Sequence, residues 1–575
     1  MTPEDAERLA HAARERGARD GGDGTKPPLL VDRGDLPATA ERVRDVLATR
    51  PMLFDRGIPV RLALDGQRGV MVADMMTAHT VTREVHAACA PYAIRRTKDG
   101  ERQERVTLPE RVASLFLDMR GDYGLRPLNG IACAPLLAES GEVLPGDGYD
   151  PVRGLWCEQV PKFEVPTRPT RADALAALRR IRLRLRTFPF ADAETIEFNG
   201  SRVVDVDQPP GDDESAALAA LLTAVCRASL DRAPGLLVRG AAISGAGTGK
   251  GLLVRTVCAA AFGRAPAAMT AGHDQDELDK RLTAAFMCAD SVVFLDNVNS
   301  TALRSNVLAS VLTERPAHVR PLGRSVTVPL NSAAFVAITG NALSVSEDLA
   351  RRFLCVSLDA KVEDPEARKF RNDPVADALR DRADILRDVL TIWRWGRQQG
   401  AALPHGQPMG SFEEWGRWCR DPLLALGCRD PVERVGAAKA DDPQRRAIAE
   451  IFAAWWEAHN DNAVTVAGLA PSVTDLIDHH KRGRQFIATR CQQMAGTRCA
   501  GFLLTRQRAA GKWGTATYRL TKLDAIGEEG HRDHRGDRDP WPITAPPMPP
   551  MAPMPSAPKP AGYNGDGGQW PGIEI

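Results

Sequence analysis

The run Ile243-Ser244-Gly245-Ala246-Gly247-Thr248-Gly249-Lys250-Gly251 sets one lysine in a frame of glycines, between an apolar stretch and a helical pattern starting near Leu252. Glycines let successive backbone N–H groups turn inward toward phosphate oxygens, and a helix N-terminus behind them adds a favourable dipole. Gly245, Ala246, Gly247, Thr248, Gly249, Lys250 and Gly251 are therefore the candidate phosphate cradle, with Lys250 reaching the β- and γ-phosphates. Two positions depart from the usual pattern. Ser244 stands at the first glycine, and Gly251 stands where a hydroxyl normally ligates Mg²⁺. No neighbouring side chain obviously replaces that hydroxyl, so metal affinity and turnover are expected to be reduced. The competing reading is a glycine-rich turn with no ligand.

A second apolar run, Ser291-Val292-Val293-Phe294-Leu295, ends in Asp296 and Asn297. An acid at the tip of a central strand lies beside such a loop and would hold Mg²⁺ there through water. Asn297 cannot accept a proton, so it would at most orient water or relay to nucleic acid, and the identity of the base stays open. A third run, Ala334 to Thr339, ends in Gly340-Asn341, placing an amide where it would sense the γ-phosphate. Asp348-Leu349-Ala350-Arg351-Arg352-Phe353 then offers two arginines. An arginine reaching a neighbouring subunit's phosphate stabilises transition-state charge, an effect worth about 10³–10⁵ in rate. Arg351 and Arg352 are the candidates, against the plainer reading of a surface helix end.

These residues need a scaffold, and the pattern around them supplies one. From Leu236 to about Leu358, buried strand-like runs alternate with helical stretches, which predicts a parallel sheet covered by helices. Upstream, helical Ala38–Leu47 and strand-like Val60–Leu64 belong to a mixed α/β region, and the turn-rich stretch from Pro145 to Pro151 predicts a long loop leaving it. Thr170 and Asp173 form a shortened capping box before a helix carrying Arg171, Arg179, Arg182 and Arg186. Such a basic face contacts nucleic acid or is simply solvated. Downstream, helical pattern dominates from Asp381 to Trp395 and from Arg445 to Trp456. The chain has 575 residues, 43% hydrophobic and 26% charged, with 75 Lys+Arg against 74 Asp+Glu. That composition fits a soluble globular protein of several domains and no membrane span. The 11 cysteines form no Cys-x-x-Cys pair, which argues against a zinc ribbon or disulfide scaffold and for a reduced, cytoplasmic compartment.

The run from about Leu236 to Asp359 resembles an AAA+ ATPase of the superfamily-three type, of the helicase or primase-helicase-like kind carried by phages and integrative elements. The resemblance rests on Gly247-Thr248-Gly249-Lys250, Leu295-Asp296-Asn297-Val298-Asn299, Pro321-Leu322-Gly323-Arg324-Ser325, Thr339-Gly340-Asn341 and Leu349-Ala350-Arg351-Arg352. Gly148-Tyr149-Asp150-Pro151 and Gly154-Leu155 are similar to the segment preceding the motor in the same proteins. It implies an AAA+ P-loop core with a parallel sheet, preceded by a mixed α/β domain and followed by a helical, winged-helix-like domain. It also implies ATP and Mg²⁺ as cofactors, DNA as partner, and a ring, expected to be a hexamer, that translocates on DNA.

The expected divisions are a flexible segment over 1–28, a mixed α/β domain over 29–165 and a basic helix with linker over 166–214. The ATPase domain follows over 215–375, then a helical region over 376–462, a winged-helix-like module over 463–523 and a disordered Pro/Gly-rich tail over 524–575. Pro321-Leu322-Gly323 between β-rich flanks reads as a hairpin tip, with Arg320 and Arg324 placed to grip phosphates in the ring channel or to lie solvated. A helix over Leu476–Cys491 carrying Lys481, Arg482, Arg484 and Arg490, then a basic turn with Arg506, Arg508 and Lys512, suggests a recognition helix and wing. Asp205-Val206-Asp207 lacks a partner carboxylate for metal chemistry, His86 and His318 lack metal-ligand spacing, and Trp393, Trp395, Trp455 and Trp456 read as helix core. Function is thus expected to be ATP-dependent DNA unwinding in replication of a mobile element. The rivals are a nucleotide-binding assembly or loading factor, which Gly251 favours, and a primase-helicase.

Overall fold

Apolar runs with no polar alternation are the mark of strands buried on both faces, and they become the centre of this fold. The computed structural model describes residues 26–523, except 99, 145, 199, 241–245, 273, 299–302, 324–325, 342, 344, 369–371, 434–442 and 509–515. Helix α1 (Arg171–Leu185) starts with the expected box, in which the Thr170 hydroxyl accepts from the Asp173 N–H and the Asp173 carboxylate accepts from the Thr170 N–H. Helix α2 (Asp212–Cys226) buries nearly its whole length. Strand β1 (Gly235–Gly240) leads through residues 241–249 to α3 (Lys250–Phe262). There follow β2 (Ala268–Met269), α4 (Gln275–Met287), β3 (Val292–Leu295) and α5 (Asn306–Thr313). The hairpin β4 (Ala317–Val319) and β5 (Val328–Leu330) precedes β6 (Phe335–Asn341), α6 (Glu347–Ala350), β7 (Phe353–Leu358) and α7 (Arg382–Gln399).

The sheet has five strands in the order β2-β3-β6-β1-β7, all parallel. The acid-bearing β3 is therefore not the neighbour of β1, because β6 lies between them. Leu236–Val238, Val293–Leu295, Phe335–Ile338 and Phe353–Val356 are all buried, and α2 and α3 add Leu218, Leu222, Val254 and Val257 to the same core. That core continues from Phe54 to Val432, so strand residues such as Val60 and Leu62 share it. The described residues up to Lys522 cluster as one compact unit.

The upstream region is mixed α/β as expected, with strands at Leu53–Asp55, Pro59–Asp65 and Val70–Met75 and helices at Leu36–Ala48, Ala78–Ala88 and Glu110–Asp118. Its helices pack on a core of their own around Val43, Leu47, Val81, Val85, Val112 and Phe116. The expected long loop at Pro145–Pro151 is a correction. Gly148–Asp150 is a strand antiparallel to Leu155–Cys157. The Tyr149 hydroxyl donates to Pro127 O at 2.7 Å and its ring lies 5.1 Å from Phe54, contacts that override the local turn preference.

Downstream, Trp393, Trp395 and Trp455 are buried, as expected for helix core. The expected helix over Leu476–Cys491 is two helices, Pro471–Ile477 and Arg484–Met494. Gly483 has φ +99° and its N–H donates to the Asp478 carboxylate at 2.7 Å, which closes a turn where the helix would have run on. The strands Phe502–Arg508 and Ala516–Lys522 then pair antiparallel. The N-terminal charged helix and the Pro/Gly-rich tail fall outside the described residues.

Candidate phosphate site

In a parallel sheet every strand points its C-terminal tip the same way, so the tips of β1, β3 and β6 converge on one edge. Register makes this specific: Gly240 pairs with Asn341, Val238 with Thr339, and Leu295 with Ile338. The loop leaving β1, the acid leaving β3 and the amide ending β6 are thus neighbours. Gly245 lies outside the described residues; Ala246 through Gly251 are described. Gly247 and Gly249 have φ of +67° and +94°, the left-handed region that side chains resist, and Gly249 is the residue from which α3 starts. Lys250 is the first residue of α3, and its Nζ lies 3.4 Å from the Thr248 hydroxyl. Burial lowers the Lys250 pKa, while the nearby Asp296 carboxylate opposes that shift.

Asp296 is held from two sides. The Thr339 hydroxyl donates to Oδ1, and the Arg255 guanidinium sits 3.1 Å from Oδ2. Thr339 also accepts from the Asn297 N–H at 3.3 Å, and its carbonyl accepts from the Val298 N–H at 2.8 Å. Asn297 has φ +62°, a conformation asparagine tolerates. Neither Thr339 nor Arg255 was a sequence candidate as a site residue. Thr339 carried a weak signal, as the last residue of an apolar run. Arg255 carried none, because its meaning depends on the glycine one helical turn earlier.

No group of three or more His, Cys, Asp or Glu side chains is placed to hold a metal among the described residues. The Mg²⁺ expected at Asp296 meets a specific obstacle. A Cβ at Gly251 would lie 2.6 Å from Arg255 Nη1 and 3.4 Å from Asp296 Oδ2, so a guanidinium fills the space where a hydroxyl side chain would stand. As arranged, these donors do not fit a magnesium ion held by the chain, since positive charge already occupies both the space and the carboxylate. Arg255 fills that space but, being a cation, does not replace the missing hydroxyl as a metal ligand.

Arg351 and Arg352 lie elsewhere. Arg352 O accepts from the Gly235 N–H at 2.9 Å, which places the pair at the start of β1, the end of the sheet away from the phosphate loop. Both pair with Asp348, whose carboxyl is held below its usual range, chiefly by the hydrogen bond from Arg352. Arg351 is exposed, and Arg352 is largely covered. The structure therefore does not bring these arginines to the chain's own candidate phosphate site.

A cavity of about 1420 Å³ opens beside Gly247, Thr248 and Gly249. Its walls include Phe188, Phe198, Arg186 and Arg368, and the Arg186 guanidinium lies 4.0 Å from the centre of the Phe198 ring. Several other arginines of α1 are engaged in ion pairs, while Arg171 donates to the Ala425 carbonyl. Arg182 forms a buried two-pronged pair with Glu214 at 2.7 and 2.9 Å, Arg180 pairs with Asp388 at 2.6 Å, and Arg179 pairs with Asp207. For Arg182 this face of the helix is a packing face, whereas Arg179 and Arg180 keep about half of their side chains exposed, and Asp207 pairs with an arginine. His86 accepts from the Leu108 N–H at 3.2 Å.

Of the expected DNA contacts, Arg320 follows β4 at the hairpin tip beside exposed Leu322, while Arg324 falls outside the described residues. Arg482 lies in the turn before the second downstream helix, 4.6 Å from the Phe486 ring, and Arg484 opens that helix. The Arg508 side chain and Lys512 fall outside the described residues. No described helix is long and apolar enough to cross a membrane.

No protein-family model and no curated protein matches the chain. Among solved structures it is similar to the apo A form of the C-terminal region of NrS-1, at 12% identity over 57% of this chain and 83% of that one, with a TM-score of 0.30. It is also similar to a JCV helicase with a bound thiazolopyridine-phenoxyphenyl acetamide, at 12% identity over 49% of this chain and 72% of that one, with a TM-score of 0.19.

Proposed function

We propose that the chain is an ATP-driven DNA-unwinding motor acting in replication of a phage or integrative mobile element. One observation carries the reading: a glycine loop with a lysine, an acid and an amide meet at one edge of a parallel sheet, while two arginines lie at the opposite edge. The loop amides and Lys250 would bind the phosphates, and the neighbouring cavity would take the base and ribose. Asn341 would order the attacking water beside the γ-phosphate, with Asn297 in reach of the same space. Arg351, the more exposed of its pair, cannot serve its own site from that edge and would reach a neighbour's, which is why a ring is part of the proposal. A hexamer is the expected ring. The β4–β5 tip with Arg320 would face its channel, and the two-helix, two-strand module beyond residue 463 would be a winged-helix DNA contact. The domain divisions given above belong to this proposal.

The test is DNA-stimulated phosphate release together with displacement of one strand from forked DNA. The unaltered chain is expected to do both, and Lys250→Ala neither. Hydrolysis unchanged in Lys250→Ala removes the lysine from the site. A second reading, a nucleotide-dependent assembly or loading factor, is favoured by Arg255 on Asp296, because a clamped acid suits binding better than rapid turnover. Binding to forked DNA with ATP but without displacement selects it.

A further inference from the structure

The second residue of α3 has no side chain, and the space has been put to use. Side chains on a helix lean toward its N-terminus, so Arg255, one turn after Gly251, folds back over the helix start. The position of a Cβ on Gly251 lies 2.6 Å from Arg255 Nη1, closer than any real contact allows, so the guanidinium can rest there only because residue 251 is glycine. From there it reaches Asp296 Oδ2 at 3.1 Å, with its Cζ 5.3 Å from the Phe294 ring centre. The Arg255 and Asp296 side chains are 34% and 28% exposed, so the pair is open to solvent rather than sealed in the core. Lys250 stands one residue before the glycine, which places two cations around the first turn of the helix.

We propose that Arg255 is a second fixed cation of the phosphate site, seated in the space Gly251 leaves, and that it serves a nucleoside triphosphate's phosphates where a chain-anchored metal would otherwise do so. This rests on the reading that the loop binds a nucleoside triphosphate. Guanidinium is planar and matches phosphate oxygens in pairs, so a modest shift from Asp296 lets it bind both anions. Triphosphate affinity then depends little on divalent metal. It also follows that restoring the usual hydroxyl with Gly251→Ser harms the site, because the new side chain expels the arginine.

The experiment is titration of the full chain with a fluorescent N-methylanthraniloyl ATP, once in excess Mg²⁺ and once in excess EDTA. The unaltered chain is expected to bind with affinities within about 3-fold of each other. Arg255→Ala is expected to lose 10-fold or more in EDTA and much less in Mg²⁺, and Arg255→Lys to recover part of that loss. Gly251→Ser should behave as Arg255→Ala does, and the double variant should be no worse than either alone. The ratio between the two conditions is an internal control, since a misfolded variant loses binding in both. An unaltered chain that needs Mg²⁺ to bind overturns the role of Arg255 alone, as does an Arg255→Ala variant whose ratio is unchanged. No binding by the unaltered chain in either condition overturns the nucleotide reading and this proposal with it.

Discussion

Gly340→Ala tests whether the tips of β3 and β6 are locked together. A Cβ on Gly340 would sit 2.0 Å from the Val298 carbonyl oxygen, 2.9 Å from its carbonyl carbon and 3.1 Å from the Leu343 Cβ. Carbon and oxygen approach no closer than about 3.3 Å even in weak hydrogen bonds, so the two backbones must part by more than an ångström. Parting them stretches the Val298 N–H to Thr339 O bond of 2.8 Å and the Asn297 N–H to Thr339 Oγ1 bond of 3.3 Å. Each is worth about 1 kcal/mol, and residual crowding in a packed core adds about 1 kcal/mol more. The expected loss is therefore about 3 kcal/mol, and the Thr339 hydroxyl leaves Asp296 at the same time. Urea unfolding followed by tryptophan fluorescence measures it, because Trp393, Trp395, Trp415 and Trp418 belong to the core that includes this sheet. Nucleotide titration follows the effect on the site. A loss below about 0.5 kcal/mol with binding intact would refute the close approach of the two tips.

The arginines of α1 give a contrast. Arg182→Ala strands the buried Glu214 and is expected to cost about 3–5 kcal/mol, whereas Arg179→Ala, in an exposed pair with Asp207, should cost under about 1 kcal/mol and change DNA affinity less than 2-fold. A large drop in DNA binding by Arg179→Ala would restore the nucleic-acid face. The Asp348 carboxyl is held low in the folded chain, so its contribution to stability is present above the ordinary carboxylate range and fades as pH falls through the lowered value. The unfolding midpoints of the unaltered chain and Asp348→Asn should accordingly differ near pH 6, and the gap should narrow only as pH falls below the ordinary carboxylate range; a pH-independent gap contradicts the ion pairs. Phe198→Ala should weaken ATP-analogue binding about 10-fold, since stacking a base on an aromatic ring is worth about 1–3 kcal/mol, and unchanged affinity would move the base out of the cavity.

Features that depend on near neighbours were legible along the chain. Alternation of apolar runs and helical periods between Leu236 and Leu358 was enough for a helix-covered parallel sheet, because buried strands leave no polar face to write. Thr170 and Asp173 announced a helix start three residues apart, and the glycine loop with Lys250 is contiguous in the chain. Whatever joins distant positions came from the folded arrangement. It put β6 between the loop strand and the acid strand, and so brought Thr339 to Asp296. Glu214 and Asp388 turned a basic helix into a packing element, and Pro127 and Phe54 made a strand of a turn-rich stretch. The sharpest case is Gly251, which reads locally as a missing hydroxyl. Only the fold of Arg255 back over the helix start, against an acid from another strand, shows that the space is filled by a charge. Periodicity and capping are written in adjacent side chains, whereas ion pairing and steric vacancy depend on which surfaces the folded chain brings together.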